Sequence, residues 1–314
     1  MRSASREHKI TVFGAGAMGT LYGARLARAG HDVAVVARGA RRETVAKVGL
    51  RIRRRGSAEI ETARVAVLER PEERPADVIV VLVRRQQVES VLAALASSKD
   101  DVAMMVNVAS GYDRWKEALG ERLFIGFPGA TGTFVDDDVV EYEVAPSIAQ
   151  PTVLGEPSGA PTARVDAFAR ALRDAKFPVQ TRSDMDAWQR THAAWITPFM
   201  LGAATARDDD ARFASRENLG RCFDAMREAL ALLRARGIPT TPWSIRAFAA
   251  LPRWLVVTVA RTFLLAAPKQ RAHLVATGID SRAEGIVLAD EMIAAGGDGA
   301  PRAATLESRR DAAR

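Results

Sequence analysis

Residues 186–198 read DAWQRTHAAWITP and gather two tryptophans, an arginine and a histidine in one helix-length run. Histidine titrates nearest neutrality and can hand over a proton. Arginine is a fixed cation that can hold a carboxylate or a developing oxyanion, and it keeps its proton near pH 7. Two residues apart on an α-helix, Arg190 and His192 point about 200° away from each other. Trp188, His192 and Trp195 share a face instead, at i, i+4 and i+7. Two arrangements follow. In one, Arg190 looks into a substrate cleft and His192 is a hydrogen-bonded core histidine behind it. In the other, the helix is turned and His192 is the proton donor.

A second constellation lies near the start of the sequence. TVFGAGAMGTLYGARL spaces Gly14, Gly16 and Gly19 as GxGxxG, after a β-rich run and at the opening of a helical one. In that pattern the first glycine permits the tight turn, the second lets backbone approach a pyrophosphate, and the third lets helix pack on strand. The free N–H groups and dipole of a helix start favour an anion. Gly14, Ala15, Gly16, Ala17, Met18 and Gly19 are therefore read as a dinucleotide cradle. About 20 residues on, a site for NAD carries Asp or Glu against the ribose 2′-OH. Here VVARGARR puts Arg38 in that place, with Arg41 and Arg42 close by. A missing carboxylate and local positive charge fit a 2′-phosphate, hence NADP(H). The alternative is that these arginines are merely solvated helix residues.

Such groups need a scaffold. Segments 9–13 and 31–37 are β-rich, and 77–83 and 102–108 are nearly all apolar, with helical stretches between them. That alternation indicates a parallel sheet covered on both faces. Residues 122–127 suggest another strand. Residues 139–155 have β character without a helical period and suggest antiparallel strands. A helix over 160–175 and a short strand over 177–181 complete the region. Beyond it the chain is rich in Ala, Leu and Arg at helical spacing. The expected fold is α/β, with an N-terminal Rossmann domain (1–182, a doubly wound, mostly parallel sheet) and an all-α C-terminal domain (183–314). A helix break is expected at Pro198, a solvated helix start at Asp208 to Asp210, and a frayed tail over the last nine residues.

Composition narrows the function classes. The chain has 314 residues, 48% hydrophobic and 26% charged, as a globular protein of two ordinary domains would. The formal charge of +7 comes almost wholly from arginine, 39 against 6 lysines. It is spread along the chain, and RIRRR at 51–55 is the one dense run. That run reads as a two-faced strand with solvated arginines, so no nucleic-acid surface is expected. WLVVTVARTFLLAAP, from Trp254, is too short to span a bilayer and is interrupted by Arg261. It could make a dimer contact. The first ten residues lack the apolar run of a signal peptide. Cys222 is the single cysteine, expected in the core, and the absence of an intrachain disulfide points to the cytoplasm. His8, His31, His192 and His273 are scattered, and no metal motif is present.

GAGAMG, VLVRRQQVESVL after the fourth expected strand, PTVLGEPSG, and a Trp-x-basic helix opening a helical second half together resemble the ketopantoate reductase family. GFPGATG, DAWQRTHAAW and IDSRAEG are similar to a divergent branch of it rather than to the biosynthetic enzymes. The resemblance covers nearly the whole chain and implies NADPH on the first domain and a ketoacid in an interdomain cleft. It carries the family's cofactor-contacting lysine and glutamine onto Arg84 and Gln87, and its asparagine near the nicotinamide onto Asn107, offset by one. The family's catalytic lysine falls on Arg190. Its two helix asparagines fall on Ala194 and Pro198. Its late glutamate falls on Asp280 or Glu284, with Glu284 fitting the branch pattern better.

Ketone reduction needs a hydride from the nicotinamide and a proton for the carbonyl oxygen. Lysine can supply that proton, because burial moves its pKa; Arg190 can stabilise the oxyanion but not supply it. The proton then comes from His192, Glu284 or water. The expected function is NADPH-dependent reduction of a small 2-keto acid or related carbonyl other than ketopantoate, with catalytic Arg190, His192 and Glu284. The alternative is an NADP(H)-binding sensor with no catalytic activity. The expected partner is a small-molecule ketoacid, with neither nucleic acid nor membrane, and a homodimer is left open.

Overall fold

The protein is described by a computed structural model over residues 7–147, 150–207, 209–265, 268–295 and 300–314. The chain divides into two compact units. The first runs to Val106 and resumes over Tyr112–Met185. The second takes Asn107–Gly111 and Asp186–Arg314.

The first unit is built on two sheets. Its strands are β1 (Lys9–Phe13), β2 (Asp32–Val36), β3 (Leu50–Arg54), β4 (Ile60–Ala63), β5 (Ala66–Leu68), β6 (Val78–Val81), β7 (Asp101–Met104), β8 (Leu123–Phe127), β9 (Ala130–Phe134), β10 (Val139–Val144), β11 (Thr152–Gly155) and β12 (Val179–Thr181). Eight form the main sheet in the order β12-β11-β8-β7-β6-β1-β2-β5. Pairing is parallel from β5 through β8, and β11 is antiparallel to β8. The central strands are buried throughout, which is why they read as continuous apolar runs rather than alternating ones. The remaining four strands form a smaller sheet, β4-β3-β10-β9.

Helix α1 (Ala17–Arg28) contacts both sheets. Gly23 marks how tightly: a Cβ there would lie 2.8 Å from Leu50 Cδ1 and 3.7 Å from Val12 Cγ2. Four further helices complete the unit: α2 (Gly39–Val48), α3 (Val88–Leu95), α4 (Asp113–Leu119) and α5 (Ala163–Asp174). The arginine-rich strand β3 is two-faced, as its alternation indicates, and its partly exposed arginines are also ion-paired. Its Leu50 and Ile52 are buried, while Arg51, Arg53 and the following Arg55 pair with Asp138 at 2.6 Å, Glu141 at 3.3 Å and Glu143 at 2.7 Å. Parallel register sets Arg53 opposite Glu141, so two charge ladders of opposite sign face each other.

The second unit is helical: α6 (Met185–Ala204, apart from its first residue), α7 (Asp210–Phe213), α8 (Arg216–Ala235), α9 (Trp243–Ala250), α10 (Arg253–Val259), α11 (Pro268–Asp280), α12 (Arg282–Ala294) and α13 (Ala304–Ala313). α6 passes through Pro198 instead of stopping there. Proline removes one backbone hydrogen bond, but Ala194, Thr197 and Leu201 on both sides of it are fully buried, and their packing outweighs that loss. Asp209 caps α7 by accepting from Arg212 N–H at 2.8 Å; Asp208 lies outside the described residues. The apolar run from Trp254 is largely core, with Val256, Val257, Ala260 and Leu265 buried, while Trp254 is 70% exposed. Among the described residues no helix is long and apolar enough to cross a membrane.

The end of the chain is not frayed. It forms α13, whose first N–H groups, at Thr305 and Leu306, donate to Glu228 of α8 at 2.9 and 3.0 Å, and whose Leu306 is fully buried. A carboxylate at a helix start satisfies orphan donors and complements the dipole. Leu306→Ala is therefore expected to lower unfolding free energy by about 2–5 kcal/mol. Urea titration followed by circular dichroism checks this, and a change below about 0.5 kcal/mol, the level of a surface substitution, would contradict the docked helix.

Candidate active site

In the first unit, the turn from β1 to α1 is made by glycines that do different jobs. Gly14 has φ +108°, and a Cβ there would come within 2.7 Å of the Leu82 carbonyl oxygen. Gly19 lies so close to the turn that a Cβ would fall 1.7 Å from the Gly14 carbonyl oxygen. Gly16, the N-cap of α1, is different: a Cβ there would meet nothing within 4 Å. The protein's own packing needs glycine at 14 and 19. It leaves space in front of Gly16, the position where a pyrophosphate would approach.

That space belongs to a cleft of about 350 Å³ at the carboxyl ends of β1 and β2. Gly14, Ala15, Gly16, Arg38, Arg41 and Gln87 are among its lining residues. Ala17 and Met18 open α1 beneath it, with Met18 Cε packed toward Gly132 of β9. Arg38 is exposed at the start of α2. Arg84 opens the turn that carries Gln87, its N–H donating to Gln87 Oε1 at 3.0 Å.

Arg41 turns in toward the glycine loop. Its Nε donates to the Ala15 carbonyl at 2.9 Å and its Nη2 to Thr20 Oγ1 at 2.8 Å. Its guanidinium lies 4.7 Å from the Phe134 ring centroid, and its Nη1 is buried without a hydrogen-bond partner. A half-buried guanidinium beside a helix N-terminus, with a donor to spare, suits a phosphate. In the sequence Arg41 stands as a neighbour of Arg38. Its position three residues after the N-cap Arg38, on the helix face that turns back toward the glycine loop, was the available signal.

In the second unit, the segment Asn107–Gly111 is held by α12. Glu291 Oε2 accepts from the N–H groups of Ala109 and Ser110 at 2.8 and 3.1 Å. Asn107 Nδ2 donates to Glu284 Oε1 at 3.5 Å, and Glu284 is 5% exposed. At the other end of the segment, Gly111 has φ +98°, and a Cβ there would lie 2.1 Å from Arg190 Nη2. The same five residues thus run from Glu284 to Arg190. Arg190 is itself fixed on α6 by Asp186, Nε to Oδ1 at 2.9 Å.

His192 is stacked on Trp188, with ring centroids 5.5 Å apart and 13° between planes. Trp195 leaves that stack and joins Phe199 and Phe248 in an aromatic cluster with Phe223. Burial pushes the His192 pKa down to about 4, so its imidazole is neutral at pH 7. Ala194, one turn beyond Arg190, is fully buried, and so is Ala193. Among the described residues no group of His, Cys, Asp and Glu could hold a metal ion.

The model of the family Ketopantoate reductase PanE/ApbA matches residues 10–143. A 2-dehydropantoate 2-reductase from Mesorhizobium japonicum is 29% identical over 202 residues, 56% of this chain. These matches make the chain similar to the ketopantoate reductase family, with the family model covering less than half of it. The match spans only 60% of the length of the Mesorhizobium protein. The solved PanE/ApbA family ketopantoate reductase from Ralstonia eutropha JMP134 is similar in fold, with a TM-score of 0.74 at 19% identity over 98% of this chain and 97% of that one. D-mandelate dehydrogenase with NADH and anilino(oxo)acetate is also similar, with a TM-score of 0.72 at 16% identity over 97% and 96%.

Two outcomes follow from this geometry. Gly16→Ala is expected to leave the unfolding midpoint within experimental error while weakening dinucleotide binding at least about tenfold, the loss of roughly one charge-assisted contact; calorimetry on the folded variant measures both, and unchanged affinity would contradict the cradle. For His192, the unfolded chain takes a proton near the ordinary 6.5, whereas the folded state resists it until about pH 4. Stability from this residue is complete above pH 6.5 and is lost as pH falls toward 4. His192→Gln should flatten that part of the pH dependence of the urea midpoint, and parallel curves for variant and parent would contradict it.

Proposed function

We propose that this chain is an NADPH-dependent reductase of a small 2-keto acid or a related carbonyl compound. The observation that carries the reading is Arg41, whose buried Nη1 lacks a partner in the cleft where the glycine turn leaves room for a dinucleotide. Gly14, Ala15 and Gly16 would hold the pyrophosphate on the N-terminus of α1, and Arg38 and Arg41 the 2′-phosphate. When bound, NADPH supplies the hydride that reduces the carbonyl carbon.

The residues of the second unit support the other half of the reaction. Arg190, held by Asp186, offers fixed positive charge to a substrate carboxylate or to the oxygen that becomes negative. Glu284, steadied by Asn107, is a carboxyl group that can pass a proton. His192 is neutral at working pH and stacked on Trp188, which supports a packing role over a proton-donating one. The D-mandelate dehydrogenase similarity, to a protein solved with NADH and anilino(oxo)acetate, supports 2-keto acids as a class and makes cofactor choice the point to test.

The second reading, a protein that binds NADP(H) without catalysis, is favoured by the same helix. The resemblance puts polar asparagines where this chain has the buried Ala194 and Pro198, and lysine where it has Arg190. Two variants address the proposal. Arg41→Ala should weaken NADPH about tenfold or more and NADH by less than about threefold; equal losses, read by fluorescence titration, would sink the 2′-phosphate assignment. Arg190→Ala should lower kcat/KM by about 10²–10³-fold with NADPH affinity unchanged, and a wild-type rate would remove Arg190 from the site.

A further inference from the structure

We infer that the helical unit carries a second anion site, for a small dianion of the phosphate class, where the N-terminus of α8 meets α13. It goes beyond the reductase reading and does not depend on it. A cleft of about 210 Å³ lies there, with Thr205, Arg212, Ser215, Asn218, Arg221 and Arg309 in its lining.

Arg309 is the decisive group. It projects from α13 and is 4% exposed. Its Nη2 donates to both the backbone oxygen and Oδ1 of Asn218 at 2.7 Å, but its Nε is buried with no hydrogen-bond partner. No described carboxylate lies within 4.0 Å of its guanidinium, and the same holds for Arg212 and Arg221. Arg221 is steadied by Ser308, Nη2 to Oγ at 3.0 Å. The lining therefore holds three guanidinium groups against one carboxylate, the exposed Glu217. Elsewhere the arginines of this chain are repeatedly matched by acids, as along β3. A buried cation without a counter-charge is unfavourable, and an anion in this cleft would supply the missing partner.

The backbone adds to the charge. α8 is 20 residues long, and its positive end opens at Ser215. Ser215 Oγ accepts from Asn218 N–H at 3.1 Å and keeps its own proton to donate. The opposing negative end of α13 is muted, because Arg282 donates to the carbonyl oxygens of Ala313 and Arg314. Several donors converging on one small space suit an ion with several acceptor oxygens and two charges better than a single carboxylate.

The test is calorimetric titration of the full-length protein with inorganic phosphate at constant ionic strength. Saturating NADP⁺ is present so that the nucleotide cradle is filled. The wild type should show saturable phosphate binding that chloride does not reproduce. The exposed double variant Arg212→Ala/Arg221→Ala should fold normally and keep its NADP⁺ affinity within about twofold, yet lose phosphate affinity by about tenfold or more. Absence of saturable binding in the wild type, or equal binding in the double variant, would overturn the proposal. Failure of the nucleotide reading would appear separately, as loss of NADP⁺ binding itself.

Discussion

The first unit depends on one approach of backbone to backbone. α1 can leave β1 at its observed angle because Gly19 has no Cβ to strike the Gly14 carbonyl oxygen, which would lie 1.7 Å away. Gly14 adopts a left-handed φ that other residues resist, under the Leu82 carbonyl. Together they turn the chain sharply at the carboxyl end of the sheet and present the first N–H groups of α1 to an open cleft. From that turn follow the packing of α1 on both sheets, the reach of Arg41 to Ala15 and Thr20, and the free space before Gly16. A side chain at 14 or 19 would strike the fold itself; at 16 it would enter open space.

The helical unit answers with a clamp made of charge. Glu291 takes two backbone N–H groups of the Asn107–Gly111 segment, and Glu284 takes the Asn107 amide. That ties five residues that follow β7 in sequence to α12 rather than to the sheet they leave. Gly111 then has to be glycine twice over, for its positive φ and for the Arg190 guanidinium against its Cα. The segment thereby gives Arg190 a defined place on one side, and the Asp186 ion pair defines it on the other. Cys222 is buried beside the Arg309 guanidinium, and desolvation pushes its thiol up to about 11.

Much of this was legible in the residues. The apolar segments read as central strands because strands buried on both faces carry no alternating pattern, and β1 falls on Lys9–Phe13. The glycine spacing reads as a turn because each step of it has a steric reason. What escaped the reading depends on distant partners. Pro198 looked like a helix end because sequence does not show that the turns on both sides of it carry buried residues. The final residues looked like a tail because Glu228, which receives their first N–H groups, is 77 positions away from Thr305. The ion pairs of the β3 arginines did not show because their acids lie on β10 and just before it. Arg41 looked equal to Arg42, yet Arg42 pairs outward with Glu69 while Arg41 turns into the cradle. In each case a tertiary contact decided what local pattern left open.

The proposed function requires the protein to move a hydride from NADPH to the carbonyl carbon of a small 2-keto acid. Incubation of the protein with NADPH deuterated at C4 and a panel of small 2-keto acids, followed by mass spectrometry of the products, reads that transfer. The expected product is a 2-hydroxy acid carrying the deuterium on C2 for at least one member, with NADPH consumed in equal amount. Tight NADPH binding with no deuterated product from any member of the panel would contradict it.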